Sequence, residues 1–129
     1  MASTDHICSP KPALKERPQL SLEQAAELED LFKVLANDTR LRLLHALARK
    51  GEACVSDLAE AVAMTPQAVS NQLQRMVGQG ILRSRRDGNN IYYRVHDPCV
   101  TVLLDRALCL VEEARQNRPA LSAASAGAA

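Results

Sequence analysis

Residues 65–95 constrain the fold most, because two different periodicities meet there across a glycine break. Thr65-Pro66 opens a helix: the hydroxyl accepts from an early free N–H, and the proline ring has no N–H to leave unsatisfied. Val69, Leu73, Met76 and Val77 then recur at helical spacing and define a buried face. The opposite face carries Gln67, Ser70, Asn71, Gln74 and Arg75. These side chains can donate and accept against base edges in a major groove. Past Gly78 and Gly80 the pattern changes. Residues 81–86 and 91–95 read as two strands joined by the turn Asp87-Gly88-Asn89-Asn90. Arg83, Arg85, Arg86 and Arg94 line this hairpin. With Arg75 they make five arginines against one aspartate, a local charge of about +4. The whole chain carries only +1, so positive charge is gathered where phosphate contacts would need it.

Helix, glycine-bounded turn and arginine hairpin, in that order, predict a winged helix-turn-helix: mainly α with a small β-hairpin wing. The rest of the chain fits around it. Residues 1–20 hold Pro10, Pro12 and Pro18 without periodicity and read as a flexible arm. Residues 21–117 form the winged domain with its dimerisation helices, and 118–129 form a small-residue tail expected to be disordered. Ser21-Leu22-Glu23-Gln24 is a capping box, and Leu22, Ala25, Leu28, Glu29, Phe32 and Leu35 follow at helical spacing to about Ala36. A break at Asn37-Asp38-Thr39-Arg40 starts a second helix with Leu41, Leu44, Leu47 and Ala48 inward, stopped by Gly51. Ser56 is expected to cap a third helix burying Leu58, Ala59 and Val62. Met64-Thr65 then turns the chain into the recognition helix. Asp97-Pro98 opens a last helix to about Gln116. Its apolar residues, Val100, Val102, Leu103, Leu104, Ala107, Leu108, Leu110 and Val111, exceed the one stripe needed to dock on a single core. A second copy across a two-fold axis would cover the surplus.

At 129 residues and 47% hydrophobic content the chain suits one domain. Its only aromatic residues are Phe32, Tyr92 and Tyr93, so the core must be aliphatic. No apolar run approaches the roughly 20 residues of a bilayer span, and no signal segment follows Met1. A cytoplasmic location without membrane association is expected. There, Cys8, Cys54, Cys99 and Cys109 would be free or metal-bound rather than in structural disulfides. An enzyme is not expected: no nucleophile–base pair or phosphate-cradling glycine loop occurs, and His6, His45 and His96 are scattered.

The segments 35–44, Cys54-Val55-Ser56-Asp57-Leu58-Ala59, Val69-Ser70-Asn71-Gln72-Leu73 and 88–95 resemble the ArsR/SmtB family of metal-sensing transcriptional repressors, over roughly residues 28–113. The resemblance implies a homodimer on a palindromic double-stranded operator, released by an inducer metal to express a resistance or efflux operon. Two departures are visible. Asn71 stands where relatives commonly carry His, and the paired thiols of the arsenite and cadmium/lead sensors are reduced here to Cys54-Val55-Ser56. The family's last-helix site implies ligands at Asp97 and Cys99, with Glu113 at the distant carboxylate position, Leu110 where a His is expected, and Cys109 beside it. Cysteine in place of histidine shifts preference from zinc toward Cd, Pb, Hg or As(III). Cys99 and Cys109 stand about 15 Å apart along one helix, so a shared ion needs the second protomer. Asp97 also reads as a plain helix cap, and both cysteines as small core residues. A second constellation joins Cys54 to Cys8, and His6, of the arm. A redox switch on the same thiols, with no metal inducer, is the alternative.

Overall fold

The structure, a computed structural model, describes residues 10–117. Five helices and three strands follow in the order α1 (Leu22–Leu35), α2 (Asp38–Lys50), β1 (Ala53–Cys54), α3 (Val55–Val62), α4 (Pro66–Gly78), β2 (Leu82–Asp87), β3 (Asn90–Val95) and α5 (Pro98–Asn117). A single 3-10 turn at Leu14–Glu16 lies in the arm. Cys8, His6 and the tail 118–129 lie outside the described residues. Among those described, no helix is long and apolar enough to cross a membrane.

The core is a wedge of aliphatic side chains between α2, α3, α4 and the sheet. Leu43, Leu58, Leu73, Met76 and Val69 are completely enclosed, with Leu44, Leu47 and Leu82 nearly so. Each such side chain contributes about 1.5–3 kcal/mol of transfer free energy relative to exposure, which holds α4 rigidly by its inner face. The helix ends follow from local chemistry. Ser21 and Gln24 exchange two hydrogen bonds of 3.0 Å across the first turn of α1. Asn37 Oδ1 accepts from Arg40 N at 3.0 Å to start α2, and Thr65 Oγ1 accepts from Ala68 N at 3.2 Å to start α4. Gly51 ends α2 at φ +84°, a conformation that glycine adopts without steric cost.

Several sequence expectations need correction. The wing is not a lone hairpin: β1 adds to it, in the order β1-β3-β2, with Ala53 opposite Tyr93 and Cys54 opposite Tyr92. Two residues are too short to leave a periodic signal. That strand also displaces the expected cap. Cys54, not Ser56, is the N-cap of α3, without a side-chain hydrogen bond, because the chain turns into the helix directly off the sheet. Ser56 Oγ instead contacts Cys54 Sγ at 3.3 Å. In α2 Leu43 joins Leu44 and Leu47 inside, while Leu41 and Ala48 are exposed. They line an apolar trough of about 400 Å³ between α2 and α5. In α1 only Val34 and Leu35 are buried; Leu22 is 90% and Phe32 48% exposed. The predicted stripe exists but does not enter this protomer's core.

α5 behaves as its excess of apolar residues implies. Val100, Leu103 and Leu104 rest against the core, yet no residue of the helix is buried, and Leu110 is 70% exposed.

Candidate nucleic-acid interface and thiol positions

α3 and α4 are joined through Ala63, which holds the left-handed conformation at φ 56°, ψ 49° and caps α3. The turn therefore begins one residue before the expected Met64. Ala63 N and Met64 N close it by donating to Glu60 O and Ala59 O at 3.3 and 3.0 Å. α4 leaves this turn with Val69, Leu73 and Met76 inward, as the spacing predicts, while Val77, expected with them, is only half-buried against the core. Gln67, Asn71, Gln74 and Arg75 are exposed, and Ser70 is half-buried. Two ladders run along the outer face: Gln67 Nε2 donates to Asn71 Oδ1 at 3.2 Å, and Gln74 Nε2 donates to Ser70 Oγ at 3.3 Å. Each ladder is an i,i+4 pair that limits side-chain freedom. The Asn71 amide N–H groups and the Ser70 hydroxyl proton stay available to a ligand.

One residue that matters here was missed. Arg40 is only 7% exposed. Its Nε donates to Val34 O at 2.6 Å, and its Nη1 to Gln72 Oε1 at 2.8 Å. One guanidinium thus ties the end of α1 to the middle of the recognition helix. A buried arginine survives because its fixed fork finds acceptors on both sides. The sequence offered a signal in Arg40 recurring with Leu43, Leu44 and Leu47 on the inward side of α2.

The wing's register sorts its arginines. β2 and β3 pair Leu82 with Val95, Ser84 with Tyr93 and Arg86 with Ile91 on one face; Arg83 with Arg94 and Arg85 with Tyr92 share the other. Gly88, at φ +65°, makes the two-residue turn between Asp87 and Asn90, where a side chain would be strained. Arg83 stands directly opposite Arg94, a like-charge pair that weakens a bare sheet and favours an anion between the two. Arg85 differs. Its Nε and Nη2 each donate to one Glu52 oxygen at 2.8 Å, its Nη1 lies 3.7 Å from Asp87 Oδ2, and its guanidinium sits 4.8 Å over the Tyr92 ring. The Arg85 hydrogen bond holds the Glu52 carboxyl below its ordinary pKa, and Glu52 raises that of Arg85. Burial beneath the sheet raises the Tyr93 phenol.

Three of the four cysteines fall among the described residues. Cys54 is half-buried at the β1–α3 junction. Cys99 lies in the first turn of α5, where its N–H donates to Asp97 Oδ1 at 2.9 Å. Asp97 therefore does act as a helix cap. Against the expectation that all four cysteines are free or metal-bound, the Cys99 sulfur is disulfide-bonded, whereas Cys109 is free and exposed. The Glu113 side chain on the next turn is exposed too. Among the described residues, no three His, Cys, Asp or Glu side chains come close enough to hold a metal. The donor chemistry suits a soft ion, but one protomer's described residues do not assemble a complete site.

Comparisons with known proteins agree with this geometry. Residues 37–84 match the family described as "Bacterial regulatory protein, arsR family". The chain is 45% identical to the "Transcriptional repressor SmtB homolog" of Synechocystis sp., covering 60% of this chain and 58% of that relative, so it spans less than two thirds of that protein's length. It is 41% identical to the "Arsenic resistance transcriptional regulator ArsR1" of Pseudomonas putida, over 67% of each chain. Among solved structures, the crystal structure of the AntR antimony-specific transcriptional repressor superposes with TM-score 0.73 at 62% identity, covering 84% of this chain and 98% of that one. The solution structure of a homodimeric winged helix-turn-helix domain from Mycobacterium bovis gives TM-score 0.63 at 31% identity, covering 75% and 92%. The chain belongs to the ArsR family of bacterial regulatory proteins, as a winged helix-turn-helix transcriptional regulator and not an enzyme.

Proposed function

We propose that this protein is a homodimeric repressor that binds a palindromic operator and releases it when a thiophilic ion binds between its protomers. The observation that carries the reading is α5: no residue of it is buried, and it holds two of the chain's four cysteines. An apolar helix left uncovered calls for a second copy, and thiols about 15 Å apart on one helix meet a common ion only across such a seam. The name of the 62%-identical neighbour, an antimony-specific repressor, and that of the arsenic regulator support a trivalent metalloid over zinc. In the dimer, Gln67, Ser70, Asn71 and Gln74 would read bases, while Arg75, Arg83, Arg86 and Arg94 would contact phosphates; Arg85, expected in the same set, is engaged by Glu52. With the Cys99 disulfide reduced to the thiolate a metal needs, Cys99, Cys109, Asp97 and Glu113 form the favoured ion site, and Cys54 with Cys8 the second choice. Release then equals the ion's differential affinity for two dimer arrangements, a coupling of about 1–3 kcal/mol.

The disulfide at Cys99 favours one rival, in which oxidation alone releases DNA. One titration separates the two. As(III), Sb(III), Cd(II), Pb(II), Hg(II) and Zn(II) are added to reduced wild type and to the four single Cys→Ser variants, following thiolate charge-transfer absorbance and operator release together. The reading holds if a soft ion releases DNA under reducing conditions and Cys99→Ser or Cys109→Ser abolishes the response. Release by oxidant with no response to any ion transfers the function to redox sensing. A monomer in solution overturns the seam site.

A further inference from the structure

We propose that Glu52 is a built-in phosphate mimic, holding the wing's Arg85 out of DNA contact and so setting how strongly the protein adheres to duplex. The inference rests on the DNA-binding reading above and adds a residue that weakens binding. The geometry is specific. A carboxylate gripping Nε and Nη2 with two bonds of 2.8 Å takes the parallel fork by which an arginine receives phosphate. Asp87 lies beside Nη1 at 3.7 Å and the Tyr92 ring covers one face. A DNA phosphate must therefore displace Glu52 to take the Nε/Nη2 fork, and meets two neighbouring carboxylates if it approaches the Nη1 side instead.

The contrast within the same strands makes the point. Arg83 and Arg94 oppose each other two residues along the ladder on the same face; among the described residues neither makes an ion pair within 4 Å, although the charge of Arg94 is felt by Glu52. Three arginines share that face, and Arg85 is the one hydrogen-bonded by an acid reaching in from beyond the hairpin. Glu52 immediately precedes β1, the short strand that docks on β3. Its position is therefore fixed by backbone pairing, not by a wandering surface side chain. Loss of one carboxylate there adds one free cation per protomer to the phosphate-facing set, and each new phosphate contact steepens the salt dependence by about 0.9 in log–log slope.

The test is the binding of wild type, E52Q, R85Q and the double variant to a fixed generic duplex across a salt series, with circular dichroism confirming each fold. E52Q should bind roughly tenfold tighter near 0.15 M salt, with a slope steeper by about 0.9 per protomer. In the R85Q background the same change should give a markedly smaller gain and no added slope, because no arginine is released. An equal gain in both backgrounds would reduce Glu52 to one more surface charge. Weaker binding by E52Q would mean that the carboxylate presents Arg85 to DNA, and either result overturns the mimic. If wild type shows no salt-dependent binding, the DNA-binding reading itself falls; if wild type binds and E52Q gains nothing, only the mimic falls.

Discussion

The reading head and the frame helices solve the burial problem in opposite ways. α4 is amphipathic in the ordinary sense: Val69, Leu73 and Met76 are fully enclosed by the same protomer, and the polar face is left free. α1 and α5 are as long or longer, yet leave Leu22, Phe32, Leu108 and Leu110 in solvent. A surface whose apolar demand is met within the protomer is available for polar recognition. One whose demand is unmet is made for another protein surface. The division separates where DNA and a second copy would bind, and Arg40 joins the two halves through Val34 O and Gln72 Oε1.

The comparison breaks most visibly at equivalent leucines. Leu73→Ala opens a cavity in the closed core and should cost about 2–5 kcal/mol in chemical denaturation. Leu110→Ser on α5 should leave the stability of an isolated protomer within about 0.5 kcal/mol. It should nevertheless weaken self-association measured by sedimentation, and remove the concentration dependence of Tm that a dimer shows. Similar losses of protomer stability at both positions would erase the distinction between head and frame.

On the head itself, base readers and phosphate contacts should separate. Asn71→Ala should cost about 1–3 kcal/mol on the operator at each half-site and little on random duplex; equal losses on both would remove Asn71 from the base-reading set. Arg83→Gln should weaken both DNAs alike and lower the salt slope by about 0.9 per protomer. The neutral double change E52Q with R85Q should leave both the affinity and the slope near wild type.

How much of this was legible in the sequence depended on which forces were local. Caps at Ser21 and Thr65, the chain break at residues 37–40, the glycine turn at Gly88 and the inward Val69, Leu73 and Met76 of α4 are decided within a few residues, and each appears where the pattern put it. β1 was invisible, because Ala53 and Cys54 become a strand only through Tyr92 and Tyr93, some forty residues away in sequence. The Arg85–Glu52 pair escaped for the same reason: hairpin spacing shows that an arginine is exposed, not which distant acid answers it. The sites fared as the helices did. Side chains on α4 could be assigned to a face from spacing alone, whereas which groups the thiols of α5 meet depends on contacts far away in sequence or on another copy, which spacing along one helix does not encode.

The smallest effect concerns the joint between the two helices of the head. Ala63 carries its Cβ into the left-handed region at φ 56°, where an L-residue pays about 1–2 kcal/mol of steric strain and glycine pays none. Against that, glycine gives the unfolded chain extra freedom, which lowers stability by several tenths of a kcal/mol. The strain term is the larger, so Ala63→Gly should stabilise the protein by up to about 1 kcal/mol, raising Tm by a few degrees. The φ/ψ values of the turn need not change, so DNA affinity should stay within about twofold of wild type. A stabilised variant with unchanged binding places the strain at the joint without a part in recognition. A stabilised variant that binds markedly less well would mean that the strained alanine helps to hold α4 at its reading angle, and the line between head stability and head function would have to be redrawn at that residue.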